Sequence, residues 1–189
     1  MPRLPLLAAL LLLPLAAIAQ DATPDAPPEA ETTPQGAPEP DMTLDRLDAI
    51  IRALDPEAQS NGTVWQFAVG EVQVLVVTDE SADRMRAMTP VARSTDIPPE
   101  QMTRMMQANF DSALDARYAI ANDVLWSAYI HPLAPLQKDQ LISGVGQVVN
   151  LAQSYGTLYS SGAMLYGGGD SGALQRALID ELLKKGEEI

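Results

Sequence analysis

Cysteine is absent from this chain of 189 residues, and histidine occurs only once, as His131. Without cysteine the chain forms no disulfide, and it offers no thiol for catalysis or for lipid attachment. A serine nucleophile needs an imidazole held by a carboxylate, and a zinc site needs several histidine or cysteine ligands. Because His131 directly precedes Pro132, we interpret it as the end of a strand rather than as a catalytic or metal-binding residue.

Positive charge is also scarce, since 12 Lys and Arg stand against 25 Asp and Glu and the formal net charge is −13. The basic residues are scattered singly apart from Lys184-Lys185, so nucleic acid and anionic membranes are not expected partners. Residues 20–41 contain no base, six prolines and six carboxylates, which are Asp21, Asp25, Glu29, Glu31, Glu39 and Asp41. This composition predicts a disordered, acidic tether.

One long apolar run, Leu4 to Ile18, comes directly after the basic residue Arg3. The run ends in the cleavage signal Ala17-Ile18-Ala19. The pattern predicts a signal peptide over residues 1–19 and a periplasmic protein with no stable membrane anchor after cleavage. The alternative is a transmembrane anchor, but the run is shorter than the roughly 20 residues that a span needs, and it contains two prolines.

The periodicity of residues 42–156 predicts one α+β domain. Its order is α-β-β-β-α-β-β-α, a five-stranded antiparallel sheet with flanking helices. Helical spacing occurs at 44–54, 99–114 and 136–155, and strand patterns occur at 63–69, 72–78, 84–92, 117–121 and 124–130. We expect the third strand to be a charged edge strand that ends at Pro90.

Two of these helices have unusual compositions. The second contains Met102, Met105 and Met106 on its apolar face, which we interpret as core filling rather than as an adaptable binding surface. The third contains Gly144 and Gly146, each of which costs about 1 kcal/mol relative to alanine. We therefore expect another backbone to approach closely there.

Residues 157–189 form a glycine-rich hinge and a C-terminal amphipathic helix over 173–185. Gly167, Gly169 and Gly172 fit the dinucleotide-binding pattern G-x-G-x-x-G, but "GAML" before them is a poor buried strand and no second strand with an acidic residue follows. The same stretch resembles a serine protease loop around Ser171, which lacks a base. We expect a hinge and a helix cap instead, and no cofactor.

Aromatic residues are few, and four of them lie on predicted strands: Trp65, Phe67, Trp126 and Tyr129. They are candidate protein-binding residues, although core packing is the commoner role of such side chains.

The first predicted strand is apolar on both faces, with Trp65, Phe67 and Val69 opposite Val64 and Ala68. One face of the sheet therefore needs a cover. The cover is either the C-terminal helix, through its stripe of leucines at 174, 178 and 182, or a second protomer or client protein. We favour the helix, because the glycine-rich stretch gives it a hinge.

Residues 117–170 resemble the YbjN-type family of the type III secretion chaperone-like fold. The resemblance extends over about 42–170 and rests on the hairpin at Asn122-Asp123, Leu125-Trp126, His131-Pro132-Leu133 and the helix end at Tyr155-Gly156. It implies a five-stranded antiparallel sheet with flanking helices, no catalytic residues, no cofactor, and relatives that bind other proteins, often as dimers. The predicted export, the tether and the tail depart from that family.

Two classes of function are open. The first is a non-enzymatic, protein-binding, chaperone-like or accessory module of the periplasm, whose partner is another protein or a second copy in a homodimer. The second is a small-molecule or envelope-stress sensing domain with unrecognised enzymatic activity. We prefer the first, because the sequence contains no nucleophile-base pair and no metal cluster.

Overall fold

A computed structural model describes residues 39–111, 114–156 and 173–187. The predicted signal peptide, all but the last three residues of the predicted tether, and the glycine-rich stretch 157–172 with Ser171 lie outside the described residues. The side chain of Leu174 lies outside them as well.

The described residues form an α+β domain around one open antiparallel sheet. Its six strands are β1 Gln59–Ser60, β2 Val64–Val69, β3 Val72–Asp79, β4 Arg84–Arg93, β5 Arg117–Ala121 and β6 Val124–His131. They are arranged in the order β1-β2-β3-β4-β6-β5, and every neighbouring pair is antiparallel. The prediction of five strands, in the order α-β-β-β-α-β-β-α, missed β1. A strand of two residues is too short to show the alternation of apolar and polar residues.

The two predicted hairpins are confirmed by their turns. Gly70 joins β2 to β3 with φ 58°, and Asn122 and Asp123 join β5 to β6 with φ 51° and 59°. A two-residue hairpin loop of this twist needs positive φ angles, which glycine, asparagine and aspartate tolerate best.

The prediction that the third strand lies at an edge is wrong. β4 pairs with β3 on one side and with β6 on the other, and it continues past Pro90 to Arg93. The register shifts between Pro90 and Ala92, and a bulge of this kind accommodates a residue that has no N–H for the ladder. Charged residues alternate along β4 because one face of the sheet is open to solvent, and an edge strand shows the same pattern.

Both edges of the sheet are capped by side chains. On β2 the N–H of Ala68 donates to Asp55 Oδ2 at 2.8 Å. On β5 the N–H of Tyr118 donates to Asn109 Oδ1 at 2.8 Å, while Asn109 Nδ2 donates to the Tyr118 carbonyl at 3.0 Å. These bonds occupy groups that would otherwise be free to pair with a foreign strand.

The helices lie on one side of the sheet, and they are α1 Leu44–Leu54, α2 Pro99–Asp111, α3 Lys138–Gln153 and α4 Ala173–Gly186, the last of which packs on α3 and α1. Their boundaries agree closely with the predicted ones. Thr43 caps α1 by accepting a hydrogen bond from the backbone N–H of Arg46, and Gln137 and Gln140 form a capping box on α3. α3 packs across the sheet and buries Leu141, Ile142, Val145, Val148 and Val149.

The expected backbone approach is found at Gly146, where Cα of Ile179 would lie 3.5 Å from an added Cβ, but at Gly144 the close neighbour is a side-chain ring instead of a backbone. A Cβ on Gly144 would lie 2.4 Å from Cδ1 of Tyr129, and a Cβ on Gly146 would lie 2.8 Å from Cγ1 of Ile179 on α4. α4 thus packs against α3, and also against α1, with Ile179 and Leu182 buried. The expectation that α4 covers the sheet is wrong, because its apolar stripe is already buried by the other helices.

The methionines of α2 have different environments. Met105 is fully buried and Met102 packs against the core, whereas Met106 and Phe110 are 49% and 79% exposed. Core filling therefore describes only part of the predicted apolar face. Within the described ranges, no helix combines the length and the apolar composition that crossing a bilayer requires.

Candidate functional site

The face of the sheet that lies opposite the helices is the first candidate site, and we call it the open face. Its residues are exposed or half-exposed at every position except Ala128, which is 9% exposed. It consists of Val64, Gln66, Ala68, Gln73, Leu75, Val77, Asp79, Arg84, Arg86, Met88, Pro90, Arg93, Arg117, Ala119, Ala121, Val124, Trp126, Ala128 and Ile130. The alternation of side chains along each strand, together with the register, places these residues on one side of the sheet.

Apolar side chains form the centre of the open face. Leu75, Met88 and Ala128 are direct neighbours in one cross-strand row, and Val77 and Ile130 belong to the next row. Ile130 is 55% exposed. Cross-strand neighbours lie about 5 Å apart, so Leu75, Met88 and Ala128 form one continuous apolar row, whereas in the next row Arg86 lies between Val77 and Ile130.

Four arginines surround this apolar centre. Arg84 and Arg86 lie on β4 at one end, Arg93 lies at the other end of the same strand, and Arg117 lies on the edge strand β5. None of the four forms a salt bridge within the described part of the chain. They are one third of the 12 basic residues of a chain with a net charge of −13.

Asp79 is the acidic residue among the strand positions of the open face. Its carboxylate accepts hydrogen bonds from the Ser81 hydroxyl at 2.6 Å and from the backbone N–H of Ala82 at 3.0 Å. These bonds, that of Ser81 first, hold the pKa of Asp79 below its ordinary value. The carboxylate is thus already engaged by its own turn, and the charge that the face offers to a partner is positive.

A depression of about 400 Å³ lies at one end of the open face. Its wall includes Val77, Met88 and Ile130, and its charged lining residues are Arg84, Arg86 and Asp79. Such a depression can accept an apolar side chain, and an acidic group beside that side chain would meet the guanidinium groups.

A second concavity, a cleft of about 550 Å³, opens where β5 stops at Arg117 while β6 continues to His131. The residues that line it include Asp115, Arg117, Tyr129, His131, Asp139 and Ser143. Gln147 holds one wall, because its Oε1 accepts from the backbone N–H groups of Asp115 at 2.8 Å and Ala116 at 3.0 Å.

Tyr129 and His131 stack in this cleft, with ring centroids 5.9 Å apart. Burial, and then the negative charge of Asp115, raises the pKa of Tyr129 to about 12, so its hydroxyl stays protonated at neutral pH. His131 Nδ1 lies 2.7 Å from the carbonyl oxygen of Pro132. Because a carbonyl can only accept, Nδ1 carries the proton, and Nε2 of the neutral ring is an acceptor.

The hydrogen bonds of the described residues do not assemble a catalytic relay. None joins His131 to a serine or to a carboxylate, and Ser143 accepts a bond from Gln147 Nε2 at 3.3 Å. Within the described ranges there is also no group of three histidine or acidic side chains placed to hold a metal ion.

The four aromatic candidates do not share one surface. Trp65 and Phe67 are buried on the helix-covered face, where the Trp65 indole donates to Asp48 Oδ1 at 2.8 Å. Trp126 lies on the open face, and Tyr129 lines the cleft. Each aromatic follows the alternation of its strand, so only Trp126 is presented by the open face.

The arginine cluster was missed by the sequence reasoning. Its signal was present in the alternation along 84–92, where Arg84 and Arg86 occupy one side of the strand. The register was needed to bring Arg117, which is distant in sequence, onto the same face.

No protein-family model matches this chain, and no curated protein matches its sequence. The resemblance to the YbjN-type family therefore stays a hypothesis.

Proposed function

We propose that this domain is a non-enzymatic, protein-binding module of the periplasm, with a chaperone-like or accessory role, and that the open face is its docking surface. The observation that carries the proposal is an apolar sheet face that the four helices leave exposed. The helix α4 is buried against α1 and α3 and so does not pack on the open face. The partner that we propose for this face is therefore another protein.

The size of the open face suits such a partner. Five strands about 4.8 Å apart and about 20 Å long present roughly 500 Å². A standard protein interface buries roughly 800 Å² on each partner, so the open face alone has the smaller size that is typical of weak, transient complexes.

Site-specific photo-cross-linking in the host tests this proposal. A photoreactive phenylalanine is placed at Gln73 or Ile130 on the open face, and at the exposed residues Arg52 and Asp180 on the helical side as matched controls. The expected result is one recurrent protein adduct from both open-face positions and none from the controls. No adduct from the open face, or the same adduct from the helical side, would contradict the proposal.

The periplasmic location rests on the predicted signal peptide and is tested separately. Intact-mass measurement of the protein from its host should show a chain that begins at Gln20. A cytoplasmic chain that retains residues 1–19 would remove the location but not the docking surface.

A second candidate function is small-molecule sensing, and the cleft beside Tyr129 favours it. Tyr129 lines a concavity of about 550 Å³, which is large enough for a small metabolite. Native mass spectrometry of the purified protein tests this function. A copurifying metabolite that is lost in Tyr129→Phe, which keeps the ring, would establish it, and identical spectra without any bound species would reject it.

A further inference from the structure

We infer that the open face selects acidic protein segments that carry an apolar side chain, which enters the depression between Arg84, Arg86 and Ile130. This inference rests on the proposed function and names the chemistry of the partner. It follows from the juxtaposition of an exposed apolar surface with four arginines on one face of an acidic chain.

The register shows how both kinds of contact reach the same segment. Arg86 is paired directly with Ile130 across β4 and β6, and Arg117 is paired with Ala128. Directly paired side chains lie about 5 Å apart, which is within reach of a single bound side chain and its neighbour. A segment that seats an apolar residue beside Ile130 therefore brings its flanking carboxylates against guanidinium groups.

The arginines are available for this role. Arg84 and Arg117 each donate to the backbone carbonyl of the residue before them, at 2.8 Å, and keep their remaining N–H groups. A guanidinium has five donors and matches a carboxylate in bidentate geometry. Arg86 and Arg93 are exposed, and the hydrogen bonds of the described residues do not engage their side chains.

Four arginines on the open face disfavour a symmetric dimer through this face. In a symmetric dimer the same patch meets itself, so the arginines of one face would oppose those of the other. Like charges held together in an interface are unfavourable, and they select against the wrong partner. The cover is therefore a different surface of opposite charge.

A long polyanion such as single-stranded nucleic acid fits less well than an acidic protein segment. The turns at the rims of the open face carry Glu71, Glu80 and Asp123, all exposed, and the whole chain has a net charge of −13. Trp126 is the one aromatic side chain among the described positions of this face, and its indole N–H donates to the Ala121 carbonyl at 3.2 Å. Stacking platforms for bases need successive aromatic rings in a basic groove.

The test uses the full mature chain and labelled synthetic polymers. Fluorescence anisotropy measures binding of a random copolymer of glutamate and tyrosine, of polyglutamate, of a copolymer of lysine and tyrosine, and of oligothymidylate. We expect the glutamate–tyrosine copolymer to bind most tightly and its affinity to fall as salt rises, because exposed charge pairs are screened. We expect Arg84→Glu/Arg86→Glu to weaken it by roughly tenfold, and Ile130→Ser to weaken it more than it weakens polyglutamate.

The matched control is Lys184→Glu/Lys185→Glu on α4, which changes the net charge by the same amount on the helical side. It should leave binding nearly unchanged. An equal loss in this control would show that only the net charge matters and would overturn the inference. Equal or tighter binding of the lysine–tyrosine copolymer or of oligothymidylate would overturn it as well, and so would no binding of the glutamate–tyrosine copolymer.

The inference and the proposed function fail in different ways. If the photo-cross-linked adduct forms from the open face and survives Arg84→Glu/Arg86→Glu, the docking surface stands and the acidic partner is wrong. If no adduct forms and no polymer binding depends on Ile130, both are wrong. Circular dichroism and thermal unfolding of each variant confirm that these exposed substitutions leave the fold intact.

Discussion

Replacing Gly144 by alanine should destabilise this domain, although alanine is the better helix former. In the interior of a helix the change from glycine to alanine normally contributes about 1 kcal/mol of stability. In α3 the new Cβ would lie 2.4 Å from Cδ1, 2.5 Å from Cε1 and 2.8 Å from Cγ of Tyr129. Unstrained carbon atoms are separated by about 3.5–4.0 Å, so the contact is about 1 Å too short.

The ring of Tyr129 is packed against α3 and stacks on His131, although it also lines the cleft. The residue is 5% exposed and lies near the end of β6, beyond the last residue that β5 pairs with. Inserting a methyl group into a packed site costs about 1–3 kcal/mol, and contact with three ring atoms puts this site near the upper value. The higher helix propensity of alanine offsets about 1 kcal/mol of this cost. We therefore expect Gly144→Ala to lower the free energy of unfolding by about 2 kcal/mol.

Urea unfolding followed by circular dichroism measures this cost, with Gln153→Ala on the exposed part of the same helix as the control. The midpoint should fall for Gly144→Ala at an unchanged slope. In the background of Tyr129→Ala, which removes the ring, Gly144→Ala should become stabilising by up to about 1 kcal/mol. If Gly144→Ala stabilises the unmodified domain, or if its cost is the same in both backgrounds, the contact with the ring does not explain the glycine.

Three further predictions concern the sheet edge and two titrating groups. Asn109→Ala removes the two bonds that cap β5, so we expect a loss of about 1–3 kcal/mol in urea unfolding and more light scattering from edge-to-edge association; an unchanged midpoint and scattering would contradict this. The raised pKa of Tyr129, about 12, means that the unfolded chain releases this proton near pH 10 while the folded chain retains it. The contribution of Tyr129 to stability should thus be constant below about pH 10 and fall as the pH rises toward 12, and a urea midpoint of Tyr129→Phe that falls equally steeply would argue against the assignment. The pKa of Asp48 is lowered by hydrogen bonds from the side chain of Arg52 and then from the indole of Trp65. The contribution of Asp48 to stability is therefore present above the ordinary pKa of an aspartate, and it is lost as the pH falls through the lowered value. Asp48→Asn should lower the urea midpoint at neutral pH and flatten its acid dependence, whereas an unaltered acid profile would count against these bonds.

Local features of the fold followed from the sequence. The hairpin turns needed residues that tolerate positive φ, and Gly70, Asn122 and Asp123 supplied them. The helix α1 ended at Leu54, before Asp55-Pro56, and the helix α2 began at Pro99, where the prolines predicted. These features depend on a few neighbouring residues, so a single sequence contains the information that determines them.

The place of β4 in the sheet required the tertiary structure. Alternating arginines and apolar residues along 84–92 are compatible with an edge strand and equally with a central strand that has one open face. Only pairing with β6, which is distant along the chain, distinguished the two. The same pairing brought Arg117 to the side of Arg86 and created the basic open face.

The cover of the sheet was likewise decided by packing between distant elements. Periodicity showed that α4 is amphipathic and that both faces of the first long strand are apolar, but a helix with an apolar stripe packs equally well on a sheet or on other helices. In this fold α4 packs on the helices, because Gly146 has no side chain and lets Ile179 and Leu182 of α4 approach α3 closely. The sequence by itself determined which residues form the helices and, apart from β1 and the end of β4, the strands, since that is a local matter. Only the tertiary structure decided three other features, because they depend on contacts between residues far apart in the chain. These are the partners of α4, the division of the aromatic residues between two faces, and the exposed surface of Leu75, Met88 and Ile130.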